Sequence, residues 1–94
     1  MTFIKHKYRA LFDLSNMSSM EKIELLKIIG ANIKRVRESK GLSQVDLVGK
    51  IEGNIDTTNI SRIESGRTNP TIFTLYRISQ ALEIKLTDLV KLSK

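Results

Sequence analysis

Apolar residues at Ile23, Leu26, Ile29, Ile33 and Val36 recur at the spacing of one helix face. Just upstream, Ser18-Ser19-Met20-Glu21 has the S-x-x-E form of a capping box, with Ser18 at the cap and Glu21 reaching back. The pattern therefore predicts a helix running to Lys40, bent or broken near Gly30 and ended by Gly41 in a left-handed conformation. A second helix starts at Ser43 and turns Leu47, Val48 and Ile51 inward. Glu52-Gly53-Asn54 is a turn cluster. Asp56 then caps a third helix over Thr57 to Glu64, with Ile60 and Ile63 facing the core and Ser65-Gly66 closing it. Asn69-Pro70-Thr71 opens a fourth helix carrying Ile72, Leu75, Ile78 and Leu82, and a short fifth spans Leu86 to Leu92. No segment alternates apolar and polar residues long enough for a sheet, so the expected fold is all-α.

Ninety-four residues, 40% of them hydrophobic, make one small domain without room for a large enclosed cavity. The absence of cysteine excludes disulfides and thiolate metal sites. No run of about 18 apolar residues is present, and MTFIKHKYRA lacks the apolar stretch of a signal peptide. A cytoplasmic protein is expected. The only histidine is His6, and the ten carboxylates are scattered among lysines and arginines. There is no phosphate-binding glycine loop, nucleophile motif or metal-ligand spacing, so no catalysis, cofactor, metal or small-molecule substrate is expected.

Charge narrows the partners. The net charge is +6, and residues 1–50 carry ten Lys/Arg against five Asp/Glu, whereas residues 51–94 carry six against five. A basic excess suits a polyanion, because released counterions favour binding to phosphate. The predicted helix N-termini at Ser43 and Asp56 add unpaired N–H groups and positive dipole ends. Thr57 and Thr58 are short enough for close approach to a groove floor. Arg62 lies far enough along the same helix to reach guanine O6 and N7 with its fork.

These residues also carry a resemblance. GLSQVDL, ISRIESGRTNPT and TLYRISQALEIKLTDL, in that order and spacing, closely resemble the phage-repressor (Cro/Xre-type) helix-turn-helix family over about residues 27–92. The resemblance implies a compact five-helix, lambda-repressor-like domain over residues 18–94, with its helix-turn-helix at 43–65. It implies that Ser43 and Gln44 meet phosphate or an outer base, and that Thr57, Thr58 and Arg62 face base edges. Asn59 and Arg67 match positions that touch backbone, and Arg37 and Glu64 match an ion pair between the first and third helices. The chain departs from the family at several points. The turn at Glu52-Gly53-Asn54 is about two residues longer than usual, which could tilt the third helix and shift the base contacts by one position. Val48 replaces a small alanine, Asp56 brings a negative charge toward DNA, Glu83 replaces a glycine and Lys85 a capping serine.

The implied function is sequence-specific binding of double-stranded DNA by a transcriptional regulator, a repressor or autoregulator, acting as a homodimer on a pseudo-palindrome. One recognition helix reads too few base pairs for genomic specificity, whereas two copies about 34 Å apart read a symmetric site. The expected dimer surface includes the fourth and fifth helices, where Leu86, Leu89, Val90 and Leu92 exceed what so small a core can hide. Residues 1–17 lie outside the resemblance. They read as a basic arm in which Ile4, Tyr8 and Leu11/Phe12 share one helical face. Packing on the domain, exchange between copies, DNA tracking and a protein partner all remain open for it. The alternative function is therefore an antitoxin or interaction module in which DNA binding is secondary.

Overall fold

The computed structural model describes residues 18–92, and the arm predicted over residues 1–17 lies outside the described residues. Five helices follow one another: α1 (Ser19–Ser39), α2 (Gln44–Lys50), α3 (Thr57–Glu64), α4 (Ile72–Leu82) and α5 (Leu86–Leu89). No strand occurs among the described residues. The first four helices each begin on a side-chain cap. Ser18 Oγ accepts from the Glu21 N–H at 3.1 Å, Ser43 Oγ from Asp46 at 3.0 Å, Asp56 Oδ1 from Asn59 at 2.7 Å and Thr71 Oγ1 from Thr74 at 3.1 Å. Each such cap contributes about 1 kcal/mol. Pro70 therefore precedes the fourth helix, whose first residue is Ile72. No helix among the described residues is long and apolar enough to cross a membrane.

Helix α1 is continuous through Gly30, not broken there. The glycine is present for packing. A Cβ at position 30 would stand 2.3 Å from the Ile63 carbonyl oxygen and 2.5 Å from that of Glu64, both backbone atoms. The C-terminal turn of α3 thus lies directly on α1, closer than any side chain permits. The preference of glycine for non-helical backbone, about 1 kcal/mol, is outweighed by this contact. At the other end, Gly41 closes α1 with φ 72°, as its position predicts.

Ile33, Leu47, Ile51, Ile60, Ile63, Leu75, Ile78, Leu82 and Leu89 form the core, with Val48 and Ile84 packed partly buried against it. Val48 fits despite its size, half-buried beside the lengthened turn. Two residues predicted to face inward do not. Ile23 is 45% exposed and Ile72 66% exposed, because the ends of α1 and α4 run past the core. Of the expected surplus of apolar residues at the C-terminal end, Leu92 alone does not join the core. Leu89 is fully buried, and Leu86 and Val90 pack against the core.

Helix α5 stops at Leu89 rather than Leu92. Asn32, buried on α1, binds the carbonyls at the end of α5 and in the segment that follows it. Its Nδ2 donates to Leu89 O at 2.9 Å and to Lys91 O at 2.8 Å, while its Oδ1 accepts from Arg35 Nη2 at 3.1 Å. Lys85 gives α5 no side-chain cap. Before it, Glu83 turns the chain at φ 59° in the left-handed region, where a family glycine is expected. A side chain there costs about 1–2 kcal/mol.

Asn32→Ala leaves two carbonyls without their donor and should lower stability by about 1–3 kcal/mol. Chemical denaturation followed by circular dichroism measures this. An unchanged midpoint would mean that the C-terminal segment is not held through Asn32.

Candidate nucleic-acid interface

Helix α3 is oriented from behind by a charged pair. Arg37 on α1 meets Glu64 on α3 in a two-point contact, Nε to Oε2 at 2.6 Å and Nη2 to Oε1 at 3.0 Å. Both side chains are over nine-tenths buried. The third guanidinium nitrogen, Nη1, donates to Leu42 O at 2.7 Å, across the corner between α1 and α2. The hydrogen bond to Glu64 raises the Arg37 pKa against the opposing effect of burial, so the guanidinium stays charged. Gln44 joins the network, its Nε2 donating to Glu64 Oε1 at 3.0 Å. A half-buried glutamine at the start of α2 is thereby fixed by the same carboxylate that orients α3.

Two helix N-termini flank this network. At α2, Ser43 and Asp46 form a reciprocal capping box, in which the Asp46 carboxylate accepts from the Ser43 N–H at 2.9 Å. That backbone bond, and then the Ser43 hydroxyl, hold the Asp46 carboxyl below the usual carboxylate range. The S-x-x-D spacing is readable in the sequence, yet Asp46 is absent from the predicted site. At α3, the Asp56 carboxylate is turned onto the Asn59 N–H. Thr58, Asn59 and Arg62 are exposed along α3, and Thr57 is half-buried. Arg67 is exposed in the following loop, its Nε donating to Ser65 Oγ at 2.9 Å.

The lengthened turn before α3 is fastened to α4. Arg77 Nε donates to Glu52 O at 2.7 Å, and the guanidinium carbon lies 5.6 Å from the centroid of the Phe73 ring. No sequence motif marked Arg77, because the contact joins residues 25 positions apart. On the other side of α3, Thr58, Arg62 and Arg67 line a surface groove with Ile23, Leu26 and Lys27 of α1. The structure thus gathers Thr58, Arg62 and Arg67 on one rim, with Ser43 and Gln44 on the neighbouring helix.

A helix-turn-helix family model matches residues 33–89 of this chain. The chain belongs to that family. It is 35% identical over 68 residues to an uncharacterized HTH-type transcriptional regulator, y4dJ, of Sinorhizobium fredii, spanning 72% of this chain and 86% of the relative. Its fold is similar to an HTH_3 family transcriptional regulator from Vibrio cholerae at TM-score 0.67 and 26% identity. That likeness covers 72% of this chain but only 37% of the Vibrio protein. The restriction-modification controller protein C.AhdI from Aeromonas hydrophila is similar at TM-score 0.64 and 26% identity, over 68% of this chain and 94% of that one. The all-α fold and the Cro/Xre-type resemblance agree with these findings. The chain is a DNA-binding helix-turn-helix transcriptional regulator.

Removing one member of the buried pair strands the other in the interior. Glu64→Ala should cost about 3–5 kcal/mol, a large share of the roughly 5–15 kcal/mol that holds a small domain together. Urea denaturation of the regulator measures it. A loss below about 1 kcal/mol would mean that the pair is solvated rather than buried.

Proposed function

We propose that this regulator is a sequence-specific repressor or autoregulator that binds a pseudo-palindromic duplex as a homodimer, without a catalytic step. The observation that carries the reading is the exposed row Thr58, Asn59 and Arg62 on a helix whose opposite side is pinned by Arg37–Glu64. Side chains on a fixed helix can discriminate bases, because misfit is not relieved by movement of the backbone. Thr57 and Thr58 offer a hydroxyl or a methyl to base edges, and Arg62 offers a fork to guanine. Asn59, Arg67, Ser43 and Gln44 set the register on phosphates. Occupying the site would exclude the polymerase by bulk alone.

The homodimer reading now rests on α4. Ile72 is 66%, Phe73 65% and Tyr76 48% exposed, and their helical spacing places them side by side. Contiguous exposed apolar side chains of this kind suit a protein–protein contact. A two-fold contact uses the same patch from each copy, which suits a symmetric DNA site.

Selection of duplexes from a random pool should enrich a two-fold motif with half-sites about one helical turn apart. On that motif, Arg62→Ala should relax preference at one position per half-site, worth about 1–3 kcal/mol; equal weakening on every sequence would make Arg62 a phosphate contact instead. Ile72→Glu combined with Tyr76→Glu should shift the sedimentation coefficient to that of a monomer while helicity persists. A dimer that survives both changes would place the interface elsewhere.

A further inference from the structure

Residues 19–32 of α1 lie before the segment 33–89 that matches the family. They pass beside the loop that follows α3. A Cβ on Gly66 would stand 2.7 Å from Lys27 Cγ and 2.9 Å from both Lys27 Cα and Lys27 N, so the α1 backbone at Lys27 touches the loop directly. Lys27 is exposed and lines the same groove as Thr58, Arg62 and Arg67. Among the described residues the only ion pair is Arg37–Glu64, so none of these three cations is neutralised by a carboxylate there. Ile23 and Leu26 supply the apolar side of the groove. An apolar wall rimmed by unpaired cations matches a sugar–phosphate strand, with deoxyribose faces against the aliphatic side chains and phosphates at the rim.

We propose that this groove is a second backbone site, in which Lys27 takes a DNA phosphate flanking the bases read by α3. The proposal rests on the DNA-docking reading above and adds α1 to its footprint. Lys27 would act with Arg67 across the groove, so that one backbone strand is held from both of its rims. Its contribution is to affinity and register rather than base choice, because phosphates carry no sequence information directly.

The test compares Lys27→Gln, Lys27→Arg and the unmodified protein by fluorescence anisotropy over a salt series, on the selected operator and on a scrambled duplex. Thermal melting of each variant checks the fold, because the Lys27 stem packs on Gly66. The expected result for Lys27→Gln is a log–log salt slope shallower by about 0.9 per protomer. Affinity should fall roughly threefold to tenfold on both duplexes at near-physiological salt, and Lys27→Arg should restore both. A slope for Lys27→Gln equal to that of a steeply salt-dependent unmodified protein overturns the proposal and leaves the recognition-helix reading intact. A flat salt response in the unmodified protein overturns both. Hydroxyl-radical footprinting gives an independent readout: Lys27→Gln should lose protection of a sugar outside each half-site, and unchanged protection refutes the contact.

Discussion

The angle between α1 and α3 governs everything on the reading face, and it is set by a contact too close for side chains. At Gly30 the backbone of α1 meets the carbonyls of Ile63 and Glu64. A few residues along, Arg37 clasps the Glu64 side chain with two hydrogen bonds. The first contact fixes the distance between the helices and the second fixes their rotation. A buried ion pair is a poor source of net stability, since desolvation offsets most of the attraction. Its planar, two-point geometry supplies direction instead. The third hydrogen bond to Glu64 comes from Gln44, so the same carboxylate relates the start of α2 to the end of α3. Two helix ends that must meet one duplex together are thereby held in one register.

The lengthened turn presents a separate mechanical problem. Extra residues just before a recognition helix would let its N-terminus wander, because little in a turn resists bending. Here the turn is held from outside. Arg77 reaches from α4 to the Glu52 carbonyl and stacks near Phe73, joining the turn to a helix whose buried face is Leu75, Ile78 and Leu82. The rigidity of α4 is lent to the N-terminus of α3. Phe73 then belongs to two surfaces, the support beneath Arg77 and the exposed apolar patch. The proposed dimer contact on α4 would be mechanically adjacent to the turn, so assembly there would press on the element that sets the pitch of α3.

Local chemistry explains what could be read along the chain. Ser18, Ser43, Asp56 and Thr71 announce helix starts because capping involves neighbours three residues apart, and Leu75, Ile78 and Leu82 announce a face because packing follows helical period. The failures concern contacts between distant residues. Gly30 looks like a helix breaker from its own propensity, and only the approach of Ile63 and Glu64 shows why it is helical. Leu86, Leu89 and Val90 look surplus until the core they complete is assembled. Asn32, Arg77 and Lys27 carry no motif, since their partners lie on other helices. Ile23 and Ile72 obey helical spacing but sit where α1 and α4 outrun the core, and periodicity cannot tell a core face from a face left for another surface.

Acidic caps at both reading helices complete the physical picture. Asp46 and Asp56 each accept a backbone N–H at a helix N-terminus, stabilising the very ends whose positive dipoles would otherwise attract phosphate. Folding and DNA binding therefore compete for the same N–H groups, and the caps favour folding. The attraction lost must come from side chains, and beside α3 three exposed cations, Arg62, Arg67 and Lys27, surround one groove. An interface whose charge is carried by long side chains rather than by helix ends can adjust to the backbone path. On the proposed reading, the short threonines and Arg62 at the rigid front of α3 are then left to decide between sequences.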